Sequence, residues 1–303
     1  MTSMDQWNSQ IMPVNYPGKQ TWPDFLRHTM GAIIQRTSQI IINSLSKGDA
    51  THFHYDTPNI HLTLSRLTPG FEGYRLVHLS DIHFGTWVEE DRLHQVIERI
   101  NQQHPDAIVI TGDFISTFTT HLFDCLVPFL SLLKAKDGVF TVRGNHDCWV
   151  ESGQFEEVMF KSHITILNNR VFPIRRSDGF IHLCGVDTAF YNLARLDRVI
   201  EQIPPGHAVI LLAHEPDIAD TSAASGYIDL QLSGHTHGGQ IILPLVGSPW
   251  LPRLAKKYPR GLYQIGDMYL YTNRGIGTAS LPWRYRCPPE VASFTLHCPT
   301  AAA

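Results

Sequence analysis

Arg75-Leu-Val-His-Leu-Ser-Asp-Ile-His-Phe-Gly85 decides how this chain folds. After the edge residue Arg75 the stretch suits a buried strand, until it stops abruptly at Asp81 and His83. Short apolar runs with β-branched members read as central strands of a parallel sheet covered on both faces. In open α/β sheets the ligand sits just beyond the carboxyl ends of the strands. A carboxylate and an imidazole two residues apart at such an end suit a metal, through oxygen and nitrogen. The pair alone says little. Its weight comes from four further polar clusters placed the same way downstream.

Working outward, Ile60 to Leu67 alternates as a half-buried strand, and Pro69-Gly70 turns the chain into the stretch above. Glu89 to Gln102 reads as a helix with Leu93, Val96, Ile97 and Ile100 on one face. Ala107 to Thr111 is the next buried strand and ends in Gly112-Asp113. Leu122 to Leu133 supplies a helix bent or shifted by Pro128, and Gly138 to Val142 a strand ending in Arg143-Gly-Asn-His-Asp147. Strand, helix, strand, helix, strand is the signature of a layered α/β domain. A helix over Gln154–Ser162 follows. Strands at Ile164–Leu167, Val171–Ile174 and Ile181–Val186 then hint at a second sheet with more antiparallel character. Leu193 to Ile203 is amphipathic. Ala208 to Leu212 ends at His214, and Ile228 to Leu232 leads to Gly234-His-Thr-His-Gly-Gly-Gln240. Residues 244–261 carry four prolines and read as a surface loop with Trp250 exposed. Tyr263 to Tyr271 is a hairpin turning at Gly266-Asp267, and Val291 to Leu296 an edge strand.

The amino-terminal part differs. Residues 1–24 read as a loosely held arm. Phe25 to Leu45 has a helical rhythm of apolar residues, with Arg27 and Arg36 and no acid before Asp49. Two uses stay open for it: lying on an anionic membrane surface or packing on this protein's own sheet. The chain thus divides into an arm with an amphipathic helix, 1–59, and one α/β domain, 60–298.

A net charge of -4, from 24 basic and 28 acidic residues, gives no reason to expect a specific nucleic acid partner. Five widely spaced cysteines without a CxxC pair argue against a disulfide framework and a thiolate zinc site. No signal peptide and no apolar run long enough to span a bilayer are visible. The expected location is the cytoplasm, with residues 25–45 offering peripheral contact to the inner face of the membrane.

Asp81 and His83, Asp113, Asn145-His146-Asp147, His214, His235 and His237 all stand just after buried strands. Parallel strands bring such ends to one rim. Carboxylate, imidazole and amide oxygen together suit Mn, Fe or Zn better than an all-oxygen calcium cage. Two ions clamping attacking and leaving oxygens need a bridging carboxylate, and Asp113, isolated on its strand end, is the natural choice. His78, His182 and His207 read as packed histidines. Arg274 would reach a substrate phosphate or tie down a loop, and Arg143 has the same choice between site and salt bridge. Trp149, Phe84 and Trp87 would line an apolar wall or belong to the core.

The ordered set DxH, GD, GNHD, H and GHxH resembles the calcineurin-like metallophosphoesterase superfamily, over about residues 60–297. Gly234-His-Thr-His-Gly-Gly-Gln240, Asn273-Arg-Gly-Ile-Gly277 and Pro288-Pro-Glu290 are similar to a bacterial branch that includes envelope phosphodiesterases and UDP-2,3-diacylglucosamine hydrolases. The resemblance implies a four-layer α/β/β/α sandwich of two mixed sheets flanked by helices. It implies two divalent ions (Mn, Fe or Zn, with Mg admissible). The first is assigned to Asp81, His83, Asp113 and His237, the second to Asp113, Asn145, His214 and His235. His146 becomes the non-ligand imidazole over the phosphate, Asp147 orients His146 or the neighbouring loop, and Arg274 joins the catalytic group. The implied reaction is phosphate-ester hydrolysis, chiefly of diesters, by in-line attack of a metal-bound hydroxide. The substrate is a small molecule or lipid-linked, with a diphosphate of the diacylglucosamine type as one alternative. A non-catalytic scaffold on the same fold is the alternative of another class.

Overall fold

Runs that are apolar on both faces can be buried only between layers, and that is how the short strands are used. The computed structural model describes residues 54–116, 119–279 and 281–299. The helix expected over 25–45 lies outside them, as does most of the arm. From Tyr55, which is buried, the chain is already part of the packed body, and Asp56 bridges to Glu290.

The first strands in chain order are β1 (Asn59–Thr63), β2 (Tyr74–Leu79), β3 (Ala107–Ile110), β4 (Gly138–Thr141), β5 (Ile164–Ile166) and β6 (Arg170–Arg176). They are followed by β7 (Gly179–Gly185), β8 (Ala208–Leu212), β9 (Leu230–Ser233), β10 (Gly261–Ile265), β11 (Met268–Thr272) and β12 (Ala292–His297). Two six-stranded sheets result, ordered β1-β12-β2-β3-β4-β5 and β10-β11-β9-β8-β7-β6. The first is parallel except where β12 meets β2, and the second has antiparallel pairs only at its two edges. Both are therefore mixed, and with their flanking helices they form the expected four-layer sandwich.

Alternate residues explain the continuous apolar runs. Leu76 and Val109 point between the sheets to meet Ile210, Leu212 and Phe294. Val77, Leu79, Ile108 and Ile110 point outward, under Leu93, Val96, Ile97 and Ile100 of helix α1 (Glu90–Asn101). On the far side Val209 and Leu211 of β8 pack beneath Val199 and Ala219. Those residues belong to α4 (Leu196–Ile200) and α5 (Ala219–Ala224), while α2 (Val127–Leu130) and α3 (Gln154–Lys161) cover the first sheet.

Several expectations need correction. The strand ending the chain is not an edge: β12 lies between β1 and β2. Its alternation of buried and half-buried residues marks one partly open face, not an open side. The helix expected from 122 to 133 is a tight helical turn over Thr120–Leu126 followed by α2, with Pro128 in the first turn where a missing N–H costs nothing. The amphipathic stretch 193–203 is helical only in α4. Helix α5, with sequence Ala-Asp-Thr-Ser-Ala-Ala, carries no apolar rhythm and gave no sign of itself. The hairpin β10–β11 turns where expected, between Ile265 and Met268.

Candidate metal centre

The rim is built from the ends of both sheets. From the first, β2 delivers Asp81 and His83, β3 delivers Asp113, and β4 delivers Asn145, His146 and Asp147. The second supplies His214 after β8, then His235 and His237 after β9. All seven expected ligand residues are buried. Their donor atoms converge as two triads, Asp81 with His83 and His237, and Asp113 with His214 and His235. Asn145 joins the second triad, its Oδ1 standing 3.2 Å from His214 Nε2.

Asp113 touches both groups through one oxygen. Its Oδ2 lies 3.2 Å from His214 Nε2 and 3.6 Å from His83 Nε2. Its other oxygen accepts the His146 backbone N–H at 2.9 Å. Elsewhere in the pair of triads, His237 Nε2 lies 3.4 Å from Asp81 Oδ1, and 3.1 Å from His83 Nε2. His235 Nδ1 is 3.2 Å from His214 Nε2.

The outward ring nitrogens are held in ways that set tautomers. His214 Nδ1 lies 2.6 Å from the Thr111 carbonyl and His235 Nε2 lies 2.8 Å from the Arg253 carbonyl. Each must donate there, since a carbonyl only accepts. His83 Nδ1 meets Ser116 Oγ at 3.0 Å. In the neutral rings the inward nitrogens are then bare lone pairs, that of His214 crowded against Asp113 Oδ2 and Asn145 Oδ1 and that of His235 against His214 Nε2. Such packing is repulsive unless a cation stands among them. The donor set, nitrogen and oxygen without thiolate, therefore fits two divalent ions.

Electrostatics agree for three of the four ring ligands, His214 being the exception. Burial pushes Asp81 up to about 6. Burial would also raise Asp113, but His214, with His146 and His83, holds it well below the usual carboxylate range. The same pairing holds His214 well above its ordinary value against burial. Burial drops His83 to about 3 and His235 to about 4, and holds His237 well below its usual value. Most of the imidazoles are thus unprotonated at neutral pH, the form a metal requires.

Backbone strain is concentrated here. Asp81, His83, Asp113, His235 and His237 have φ of 50°, 43°, 57°, 68° and 51°. For residues with a side chain this region costs roughly 1 kcal/mol or more each, and such strain clusters at functional sites. The glycines of two motifs serve close approach. A Cβ on Gly112 would sit 2.3 Å from Gly144 N, and one on Gly144 would sit 2.2 Å from Asp113 Oδ1.

Not every expected site residue points at the rim. Asp147 accepts the backbone N–H groups of Asp113, Phe114 and Gly144 at 2.8, 2.9 and 2.9 Å, so it ties the loops after β3 and β4 together and leaves the His146 ring alone. The Arg274 guanidinium is engaged by Glu290 at 2.6 Å and Asp56 at 2.9 Å. Of its two expected uses, this is the tying of a loop. Arg143 likewise pairs with buried Asp187 at 3.0 Å. His78 is packed, with Nε2 2.8 Å from Thr111 Oγ1. Phe84 is core, whereas the Trp149 ring is 4.5 Å from that of His146 and donates to Tyr191. His146 itself is half-buried, 4.9 Å from the His83 ring, with Nδ1 lacking a partner.

Sequence reasoning missed Arg284. It donates to the carbonyls of Gly277, Arg274, Gly275, His237 and Cys287, bracing the loops behind Asp81 and His237. One arginine in Pro-Trp-Arg-Tyr-Arg286 carries no pattern to announce this. Glu215 was missed too; buried, it accepts from Thr188 Oγ1 and from the N–H groups of Ala189 and Phe190.

A model of the family described as calcineurin-like phosphoesterase matches residues 74–239. The chain is 35% identical over 240 residues to an uncharacterized metallophosphoesterase, YkuE, of Bacillus subtilis, covering 78% of this chain and 84% of the relative. It is 29% identical over 270 residues to phosphodiesterase YaeI of Escherichia coli, covering 87% and 97%. An uncharacterized metallophosphoesterase of Helicobacter pylori is 31% identical over 230 residues, covering 73% of this chain but only 59% of the relative.

Proposed function

This chain belongs to the calcineurin-like phosphoesterase family, and on that premise we propose that it is a phosphodiesterase working with two divalent ions. That it is a metal-dependent hydrolase follows from the fold and the paired triads. The single observation carrying the reading is Asp113 Oδ2, shared between His83 and His214. One carboxylate oxygen between two donor groups would let Asp113 help to hold both ions. When bound, the ions supply an activated water and positive charge for the phosphoryl oxygens.

The chain's own residues do the rest. Asp81, His83, Asp113 and His237 would hold one ion, and Asp113, Asn145, His214 and His235 the other. His146 holds no place in either triad, and burial lowers its pKa, so the neutral ring offers one N–H. Beside the phosphate it would stabilise charge on a phosphoryl oxygen or protonate the leaving oxygen. Asp147 fixes the two loops that carry Asp113, Asn145 and His146. The part-exposed rings of Trp149, Phe190 and Tyr191 lie beside His146 and His235, and an apolar wall there suits the second substituent of a diester. The similarity to the Escherichia coli phosphodiesterase supports the same preference. Filled ligand positions throughout count against a non-catalytic scaffold.

Turnover of bis(p-nitrophenyl) phosphate and p-nitrophenyl phosphate by protein reconstituted with Mn tests this. Faster diester hydrolysis, abolished by chelation, is expected. A monoester preference, or turnover that survives chelation, would overturn it.

A further inference from the structure

The chain leaving the second-sheet ligands does something the hydrolytic site has no use for. Two residues after Gly239 it forms a narrow hairpin in which Leu243 pairs with Gly247 in both directions. The tip is Pro244-Leu245-Val246. Leu245 is fully exposed (108%), Val246 is 69% exposed, and Trp250 just beyond is 73% exposed. Leu245 has φ 67°, a backbone conformation that favours glycine, so a large apolar side chain is presented to the outside where glycine would be easier.

A second apolar segment lies alongside. Ile241 bridges to Tyr285, and Gln240 Nε2 donates to the carbonyls of Leu281 and Trp283. Leu281, Trp283 and Tyr285 are all exposed. Isolated exposed apolar residues mean little, but contiguous ones mark an interaction surface.

Charge selects the partner. From residue 238 to 266 the chain has Arg253, Lys256, Lys257 and Arg260 and no acid, and from 268 to 289 it has Arg274, Arg284 and Arg286 and again no acid. Arg253, Lys256, Arg260 and Arg286 are exposed, whereas Lys257 is paired with Asp220, and Asp217 caps the amides of Lys256 and Lys257. Apolar and aromatic residues at a protruding tip, rimmed by basic ones, complement a surface with an anionic face over an apolar interior.

We propose that the hairpin 241–250, with residues 281–286, docks this protein on an anionic lipid surface. The hairpin is rooted at the rim: Ser248 Oγ packs against Gly239, and Arg260 donates to the Gly238 carbonyl at 2.9 Å, next to His237. Docking would therefore hold the rim close to the bilayer. Resting on the proposed function, it would favour phosphate esters carried by lipid. The docking itself does not depend on turnover.

The test is flotation of the full, metal-loaded chain with vesicles of phosphatidylcholine or an equimolar mixture with phosphatidylglycerol, alongside turnover of a soluble diester. Binding to the mixed vesicles is expected. Leu245→Asp combined with Val246→Asp should weaken it about a hundredfold. Lys256→Glu with Arg286→Glu should weaken it about tenfold on mixed vesicles only. Neither pair should alter soluble turnover. Tryptophan fluorescence should shift to the blue with lipid, and Trp250→Phe combined with Trp283→Phe should remove that shift. Flotation untouched by the Leu245 and Val246 replacements would assign docking to another part of the chain and overturn the proposal. So would a failure of the full chain to float, or a dimer that those replacements convert to monomer while flotation persists.

Discussion

Replacing Gly144 by alanine would test the bridging geometry without replacing any ligand residue. The added methyl carbon would stand 2.2 Å from Asp113 Oδ1, 2.8 Å from its Cγ and 2.5 Å from its backbone N. An unstrained contact needs roughly 3.5 Å, so something must move by about 1 Å. The Asp113 carboxylate cannot swing aside freely, because Oδ1 holds the His146 N–H at 2.9 Å. Metal–ligand distances tolerate only about 0.2 Å, and Oδ2 of that carboxylate serves both triads. Overpacking of this kind costs roughly 1–3 kcal/mol, or about 2–12 °C in Tm for a domain this large. A misplacement near 1 Å at the reacting centre costs about a hundredfold in rate. Melting curves, elemental analysis after dialysis and diester turnover give the three readings. Expected are a lowered Tm, fewer than two ions per chain and turnover down about a hundredfold. Unchanged metal content with full turnover would refute the shared-carboxylate geometry.

Other outcomes follow from the same contacts. His146→Ala should leave two ions bound and lower kcat by about 10²–10⁴; loss of metal instead would make His146 a ligand. Arg274→Ala should destabilise by about 3–5 kcal/mol in denaturant titration, because buried Glu290 loses its cationic partner and keeps only the Tyr271 hydroxyl and a backbone N–H. Its KM for a soluble diester should hardly change, and a tenfold rise in KM without loss of stability would put Arg274 on the substrate. Burial lowers His78 to about 3. Between that value and about 6.5 the unfolded chain binds a proton there that the folded chain refuses, so stability is lost as pH falls. His78→Leu should flatten that pH dependence by up to about 1.4 kcal/mol per pH unit. Identical slopes would show that His78 accepts a proton while folded.

The layered fold and the gathering of the rim could be read in the sequence because both leave local marks. A strand buried on both faces must be almost wholly apolar, as Ala208 to Leu212 is and as Leu76 to Leu79 is apart from the packed His78, and its ligands must follow where it ends. Position within a sheet leaves no such mark. The alternation of β12 reports an open face, and nothing in it says that β1 pairs along its other side. Supporting contacts are harder still. Asp147 looks like a partner for the adjacent His146, yet it is turned to three amides from two loops. Arg274 lies in a glycine-rich loop that suits phosphate, but Asp56, 218 residues away in sequence, claims it. Arg284 acts through backbone carbonyls, which every residue has, so no sequence pattern could announce it.

Two ions sharing Asp113 is the claim on which the rest stands, and the electron paramagnetic resonance spectrum of the Mn-loaded protein reads it directly. Two equivalents of Mn bridged by one carboxylate should give an exchange-coupled signal, which Asp113→Asn replaces with that of isolated ions. A wild-type spectrum of isolated ions only, in protein that turns over fully, would contradict it.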